Sequence, residues 1–185
     1  MRKTYLFMMV SLDGFFEGPD HDLNWHNVDE EFDRFTIDQL NETDTILFGR
    51  KTYEMMASFW PTETAKANDP IVAEKMNTTP KIVFSRTLEK AEWQNTRLVR
   101  DGVKETVEDL KRQPGKDIAV FGSSDLAVSL LQMGLLDELR IMVNPVVLGG
   151  GKRLFEGIRD RLDLTLVNTR TFRNGNVLLY YQPKS

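Results

Sequence analysis

The stretch Val120–Leu139, VFGSSDLAVSLLQMGLLDEL, decides how the rest of the chain is read. A short apolar run, Ile118–Phe121, stops at Gly122-Ser123-Ser124. Apolar residues at helical spacing follow at once: Leu126, Leu130, Leu131 and Met133. The order is therefore strand, tight turn of small residues, helix start. A helix start presents unpaired N–H groups and the positive end of the helix dipole, so it suits an anion such as a phosphate. A second segment, Ile46–Glu54 (ILFGRKTYE), repeats this order and adds a basic pair. Two such turns in one chain of 185 residues point to a nucleotide cofactor.

Outward from these turns, strands and helices alternate. Strands are expected near Lys3–Val10, Thr45–Phe48, Lys81–Phe84, Arg97–Val99 and Ile118–Phe121. Helices are expected near Asp29–Asn41, from Lys51, near Asp69–Met76, near Val103–Arg112 and from Ser124. The first of these carries Phe32, Phe35 and Leu40 as its apolar stripe, and acidic residues fill its first turn, where the dipole favours them. After the last helix the chain becomes rich in strands: Glu138–Asn144, Leu164–Phe172 and Val177–Gln182. Asn174-Gly175 between the final two runs is a hairpin signal. The fold class is thus α/β, with a mostly parallel sheet, helices on both faces and an antiparallel C-terminal hairpin. Residues 1–185 read as one domain, with no repeat or linker. In open α/β sheets ligands bind beyond the carboxyl ends of the strands. The loops after Val10, Phe48, Phe84 and Phe121 all fall at such ends and converge on one rim.

Composition narrows the partners. A net charge of -4 argues against nucleic acid, which needs a concentrated basic face. The absence of cysteine removes disulfides, thiolate zinc sites and cysteine nucleophiles, and it fits a reducing cytoplasm. The apolar run Tyr5–Val10 is too short for a signal peptide, and no stretch approaches the roughly 20 residues that span a bilayer. His21 and His26, with Asp20 and Asp22, match no metal-ligand spacing, so no metal site is expected.

Several pieces carry a resemblance: FGRKTYE (Phe48–Glu54), VFSR (Val83–Arg86), the Gly122-Ser123-Ser124 turn, and an N-terminal strand followed by SLDGF (Ser11–Phe15) and Trp25. Their order and spacing resemble the dihydrofolate reductase superfamily. Within it, VFGSSDLAVSLLQMGLLDELRIMVNPVVLGGGKRLF (Val120–Phe155) is more similar to the reductase domain of the bifunctional riboflavin-biosynthesis deaminase-reductase. The resemblance covers nearly the whole chain. It implies a dihydrofolate-reductase-like three-layer fold, NADPH as cofactor and hydride transfer. The implied substrate is a small molecule: the aminouracil phosphate 5-amino-6-(5-phosphoribosylamino)uracil, with a pterin-like heterocycle as the alternative. A third reading is a module that binds NADPH without catalysis. The resemblance also implies a homodimer formed through the strand-rich C-terminal half.

The loops then take roles. In Gly49-Arg50-Lys51-Thr52, two cations stand at a helix N-terminus, where the dipole opposes them; an anion there explains them. The resemblance makes that anion the pyrophosphate and 2′-phosphate of NADPH; the alternative is a solvated basic turn. Ser85-Arg86 follows a strand, and Arg86 can pair a 2′-phosphate, stack on adenine or simply face solvent. Arg50 and Arg86 together favour NADPH over NADH. Gly122, Ser123, Ser124 and Leu126 frame a diphosphate cradle, in which a serine can equally be a plain N-cap. Asp125 is expected to face away from it or to hold the turn.

On the substrate side, Asp13 can bind substrate, order its loop or form an Asx turn. Trp25 matches the tryptophan after the mobile loop of dihydrofolate reductases. Glu30 falls at the position of their acidic substrate contact, where a half-buried carboxylate would assist proton delivery; equally, it is an ordinary first-turn acid. Gly149–Gly151 reads either as a turn that lets Lys152 approach a ligand or as a plain connector. The segments Ser11–Val28 and Met56–Asp69 are expected to be loops that read the substrate, the latter with Trp60-Pro61 as a rigid bend.

Overall fold

Apolar runs of four to eight residues become the strands of one sheet, as seen in a computed structural model that describes residues 1–185. In chain order the elements begin with β1 (Thr4–Ser11), β2 (Phe15–Glu17), α1 (Glu30–Asn41), β3 (Thr43–Gly49) and α2 (Arg50–Phe59). Next come α3 (Glu63–Asn68), α4 (Pro70–Thr78), β4 (Lys81–Phe84), β5 (Thr96–Val99) and α5 (Val103–Arg112). The chain ends with β6 (Asp117–Phe121), α6 (Ser124–Gln132), β7 (Glu138–Asn144), β8 (Lys152–Arg153), β9 (Leu164–Thr171) and β10 (Val177–Pro183). Eight strands form the sheet β5-β4-β3-β6-β1-β7-β10-β9, parallel up to β7 and antiparallel in β10 and β9. The α/β architecture with a C-terminal hairpin holds as read from sequence.

Alternation along each strand fills the two faces. On one face Leu6, Met8 and Val10 of β1 join Leu47, Val120 and Ile141 beneath α5 and α6, through Val107, Leu126, Leu130 and Leu131. On the other, Tyr5, Ile46, Phe48, Val83 and Phe121 lie beneath α1, α2 and α4, through Leu40, Tyr53, Val72 and Met76. Phe48 is fully buried between Tyr53 and Trp93, and Trp93 stacks on it at 6.0 Å. A buried aromatic of this kind contributes about 3–5 kcal/mol when intact, which anchors the end of β3 firmly. Fixing the last residues of β3 fixes where Gly49 and α2 begin.

The sheet order creates a switch point. From β3 the chain moves outward through α2 to β4; from β6 it crosses β1 through α6 to β7. Helices α2 and α6 therefore leave neighbouring strands toward opposite faces. The crevice between them, beyond Gly49 and Gly122, is where such sheets bind ligands.

Three parts depart from the sequence reading. Met56–Asp69 is not a loop: α2 runs to Phe59, α3 follows with Thr62 as its N-cap, and the Trp60 carbonyl accepts from Asn77 at 3.0 Å. Its apolar residues, Met56, Ala57 and Trp60, pack on the core, so the chain there is tied down. The second departure is inside Ser11–Val28, where β2 pairs with β8 in a separate two-stranded sheet. Strands of three and two residues are too short for any periodicity to announce them. The third is a single turn of 3-10 helix at Pro19–His21 in the same loop. No helix is long and apolar enough to cross a membrane.

Candidate functional site

Gly49 and Gly122 end adjacent parallel strands, and their turns touch. The Gly49 N–H donates to Ser123 Oγ at 2.7 Å. Ser123 is the N-cap residue of α6, yet its side chain makes no capping bond to that helix, because the hydroxyl serves the neighbouring turn. Gly49 is the N-cap of α2 and has no side chain to cap with. By contrast Asp29 caps α1 through the Phe32 N–H at 2.9 Å, and Thr62 caps α3 through Ala65. Two helix N-termini thus meet at the switch point with their first-turn N–H groups uncapped by side chains.

Gly122 is required by this geometry. Its φ is +85°, and a Cβ there would come within 2.8 Å of Thr52 Cγ2. Thr52 therefore lies directly over the Gly122 backbone. Gly49 is different: its φ is -79°, and a Cβ would make ordinary contact with Ser123 at 3.5 Å. Close approach at this turn rests on Gly122, not on Gly49. Ser123 and Ser124 are buried. Leu126 is buried in the core, so what it can offer a ligand is its backbone N–H.

Cations and carboxylates surround the crevice. Arg50 Nη1 pairs with Glu54 Oε2 at 3.2 Å, one helical turn on. Lys51 is exposed. Asp125 is largely exposed and meets Lys152 Nζ at 3.4 Å. Ser85 Oγ accepts from the N–H groups of Thr87 and Leu88 at 3.2 and 3.0 Å, so this hydroxyl orders the loop after β4. Arg86 pairs with Asp101 at 2.9 Å, both largely exposed. Arg100 pins the same loop, donating to the carbonyls of Arg86 and Glu89 at 3.3 and 3.0 Å. Between that loop and α2 lies a hollow of about 620 Å³, bordered by Arg50, Glu54 and Leu88.

The other half of the rim is built from two segments stitched together. Asp13 accepts the N–H groups of Leu148 and Gly149 at 3.0 and 2.8 Å. The Ser11 hydroxyl first, and then these two N–H groups, hold its carboxyl down at about 2. Asp13 thus orders its loop, one of the three roles open to it. Gly151 abuts the backbone of Glu17, where a Cβ would fall 2.0 Å from the carbonyl oxygen; only glycine allows this approach. Gly151 is therefore a close-packed junction, while Gly149 has open space around it, and Lys152 follows in β8 beside the start of α6.

Trp25 is half-buried, and its Nε1 donates to the Asp22 carbonyl at 2.9 Å. His26 stands edge-on to it at 4.5 Å, with its basicity lowered by burial. Glu30 is exposed on the first turn of α1, rather than half-buried; it borders a shallow hollow with Arg34, Arg170 and Arg173. Sequence reasoning missed the group that fixes this side: four asparagines. Asn27 N–H donates to Asn144 Oδ1 at 2.8 Å, and the Asn27 carbonyl accepts from Asn174 and Asn176 at 3.1 and 2.7 Å. Asn144 and Asn176 are fully buried, where every polar group needs a partner. They lock the Trp25 segment to the end of β7 and to the β9–β10 turn.

The sheet order, the switch-point cradle and the flanking mini-sheet define an α/β protein of the dihydrofolate-reductase-like class. The profile of the RibD C-terminal domain matches residues 2–178, and the chain belongs to that family, the reductase-domain family of riboflavin biosynthesis. It is 38% identical to the uncharacterized protein YyaP of Bacillus subtilis (strain 168), over 97% of this chain and 94% of that one. A structure from Shewanella sp. PV-4, assigned to riboflavin biosynthesis, shares the fold with a TM-score of 0.76, 22% identity and 99% of each chain covered. The diaminohydroxyphosphoribosylaminopyrimidine deaminase/5-amino-6-(5-phosphoribosylamino)uracil reductase of Thermotoga maritima shares it with a TM-score of 0.71 and 17% identity, over 99% of this chain and 57% of that one.

Two outcomes follow from the local geometry. Gly122→Ala should lower stability by roughly 1–3 kcal/mol, through strained φ and the Thr52 contact, while Gly49→Ala stays within about 0.5 kcal/mol; urea unfolding midpoints compare them. The Ser11 hydroxyl and the two N–H groups hold the folded Asp13 carboxyl at about 2, below the usual aspartate value of 3.8. Its bracing is therefore complete above the latter value and lost as pH falls toward the former. Exchange protection factors at Leu148 and Gly149, corrected for the intrinsic pH dependence, should fall as pH drops across that window and be flat above about pH 5.

Proposed function

We propose that the protein is an NADPH-dependent reductase that reduces the ribose-derived carbonyl of an aminouracil phosphate. The observation that carries this is the pair of uncapped helix N-termini meeting at Gly49 and Ser123, with Arg50 and Lys51 beside them. The donor set fits a dinucleotide. The N–H groups of α2 and α6 and the positive-φ Gly122 suit a diphosphate. The hollow of about 620 Å³ along α2 offers room for the adenosine end. Family membership supports the reductase chemistry. When bound, the cofactor supplies the hydride.

The chain's own residues bind and orient. Arg50, Lys51 and Thr52 would take one side of the phosphates, and Ser124 and Leu126 the other, through backbone N–H groups. Ser85 and Arg100 shape the loop that carries Arg86. The Asp13 staple and the asparagine group hold the β1–α1 loop as a wall, and Trp25 is the apolar surface it presents. The reduced oxygen needs a proton. Asp13 is held ionised and Glu30 is exposed, so water is the proton source on this reading.

The C-terminal strands support a homodimer. The edge strand β9 leaves Leu166 and Val167 50% and 47% exposed, an unusual composition for an unpaired edge.

Titration of nicotinamide fluorescence tests the cofactor. Wild type should bind NADPH, and Arg50→Ala should lose about 10-fold or more, the worth of one charge-assisted contact. Adding the aminouracil phosphate to the loaded protein should then consume NADPH. Absence of binding by wild type would overturn the reading.

A further inference from the structure

The hollow beside Arg50 has more carboxylates than cations. Glu54, Glu89 and Glu92 line it against Arg50 and Lys90. Glu54 places both oxygens near the Arg50 guanidinium, at 3.4 and 3.2 Å, and Lys90 lies 3.6 Å from Glu92. Arg86, the next arginine along the rim, is turned to Asp101. A phosphomonoester entering this hollow meets cations that already have carboxylate partners. A ribose diol carries no charge for these carboxylates to oppose. The far wall cannot rearrange freely, since Ser85 and Arg100 hold its backbone. Glu54 stands on α2 itself, and it is the carboxylate in contact with Arg50.

We propose that Glu54 is a specificity-determining residue, which narrows the preference between phosphorylated and unphosphorylated nicotinamide dinucleotides. This rests on the reading of the rim as a dinucleotide site. An exposed pair one helical turn apart is weak, so Arg50 remains available to a ligand. The Glu54 charge nevertheless stays in the hollow when Arg50 turns to a phosphate, and like charges there oppose the added 2′-phosphate. NADH carries no such group and is nearly indifferent to Glu54. The chain should therefore use both dinucleotides, with NADPH ahead by no more than about 10-fold.

Calorimetric titration of NADPH and NADH into wild type and Glu54→Gln, at low and at moderate salt, tests this. Glu54 is exposed, so the variant should keep the fold; circular dichroism and the NADH affinity serve as controls. The variant should tighten NADPH by about 3–10-fold with NADH unchanged, and added salt should shrink the gain. A wild-type preference above about 100-fold, or a ratio unmoved within about twofold in the variant, would overturn the role of Glu54 and leave the dinucleotide site standing. Failure of wild type to bind either nucleotide would instead remove the site reading, and this inference with it.

Discussion

One hydrogen bond organises the centre of this molecule: the Gly49 N–H to Ser123 Oγ, 2.7 Å, across two strand ends. A serine at an N-cap ordinarily satisfies its own helix. Here the hydroxyl is spent on the adjacent turn, so α6 starts without a side-chain cap while α2 starts at a glycine that has none. The same contact holds the two turns in register, and Thr52 over Gly122 closes the gap between them. The donors left open are local, aligned and set at the switch point of the sheet. On the proposed function, the contact that assembles the site is also the one that leaves its N–H groups open to an anion.

The remainder of the rim is held by side chains reaching to distant backbone. Asp13 gathers the loop before β8, Arg100 gathers the loop after β4, and the asparagines gather the Trp25 segment. Each ties a loop to backbone distant in sequence, and the asparagine bonds are the buried ones among them. The walls are therefore preformed. Preformed walls lower the ordering cost of binding and let orientation, rather than closure, do most of the work.

Much of this was legible from the sequence, and the limits have physical reasons. Strands such as Lys81–Phe84 and Glu138–Asn144 were readable because apolar runs bounded by turn residues are local signals. The two turns at Gly49 and Gly122 were readable for the same reason. The asparagine group was not: Asn27 meets residues 117 and 149 positions away, and no local pattern marks such partners. The same holds for Asp13 with Leu148, and for β2 with β8. The misread segment Met56–Asp69 shows a further limit. Trp60-Pro61 marked a true bend, but the short helix after it depends on packing against α4 rather than on any stripe of its own.

The central claim is that the first-turn N–H groups of α2 and α6 form one anion cradle. The direct measurement is a backbone amide shift titration with NADPH at constant ionic strength. The largest, saturating shifts should fall on Arg50, Lys51, Thr52, Ser124, Asp125 and Leu126, with the β9 edge unaffected. Saturable binding whose shifts fall elsewhere and spare both helix starts would contradict the account.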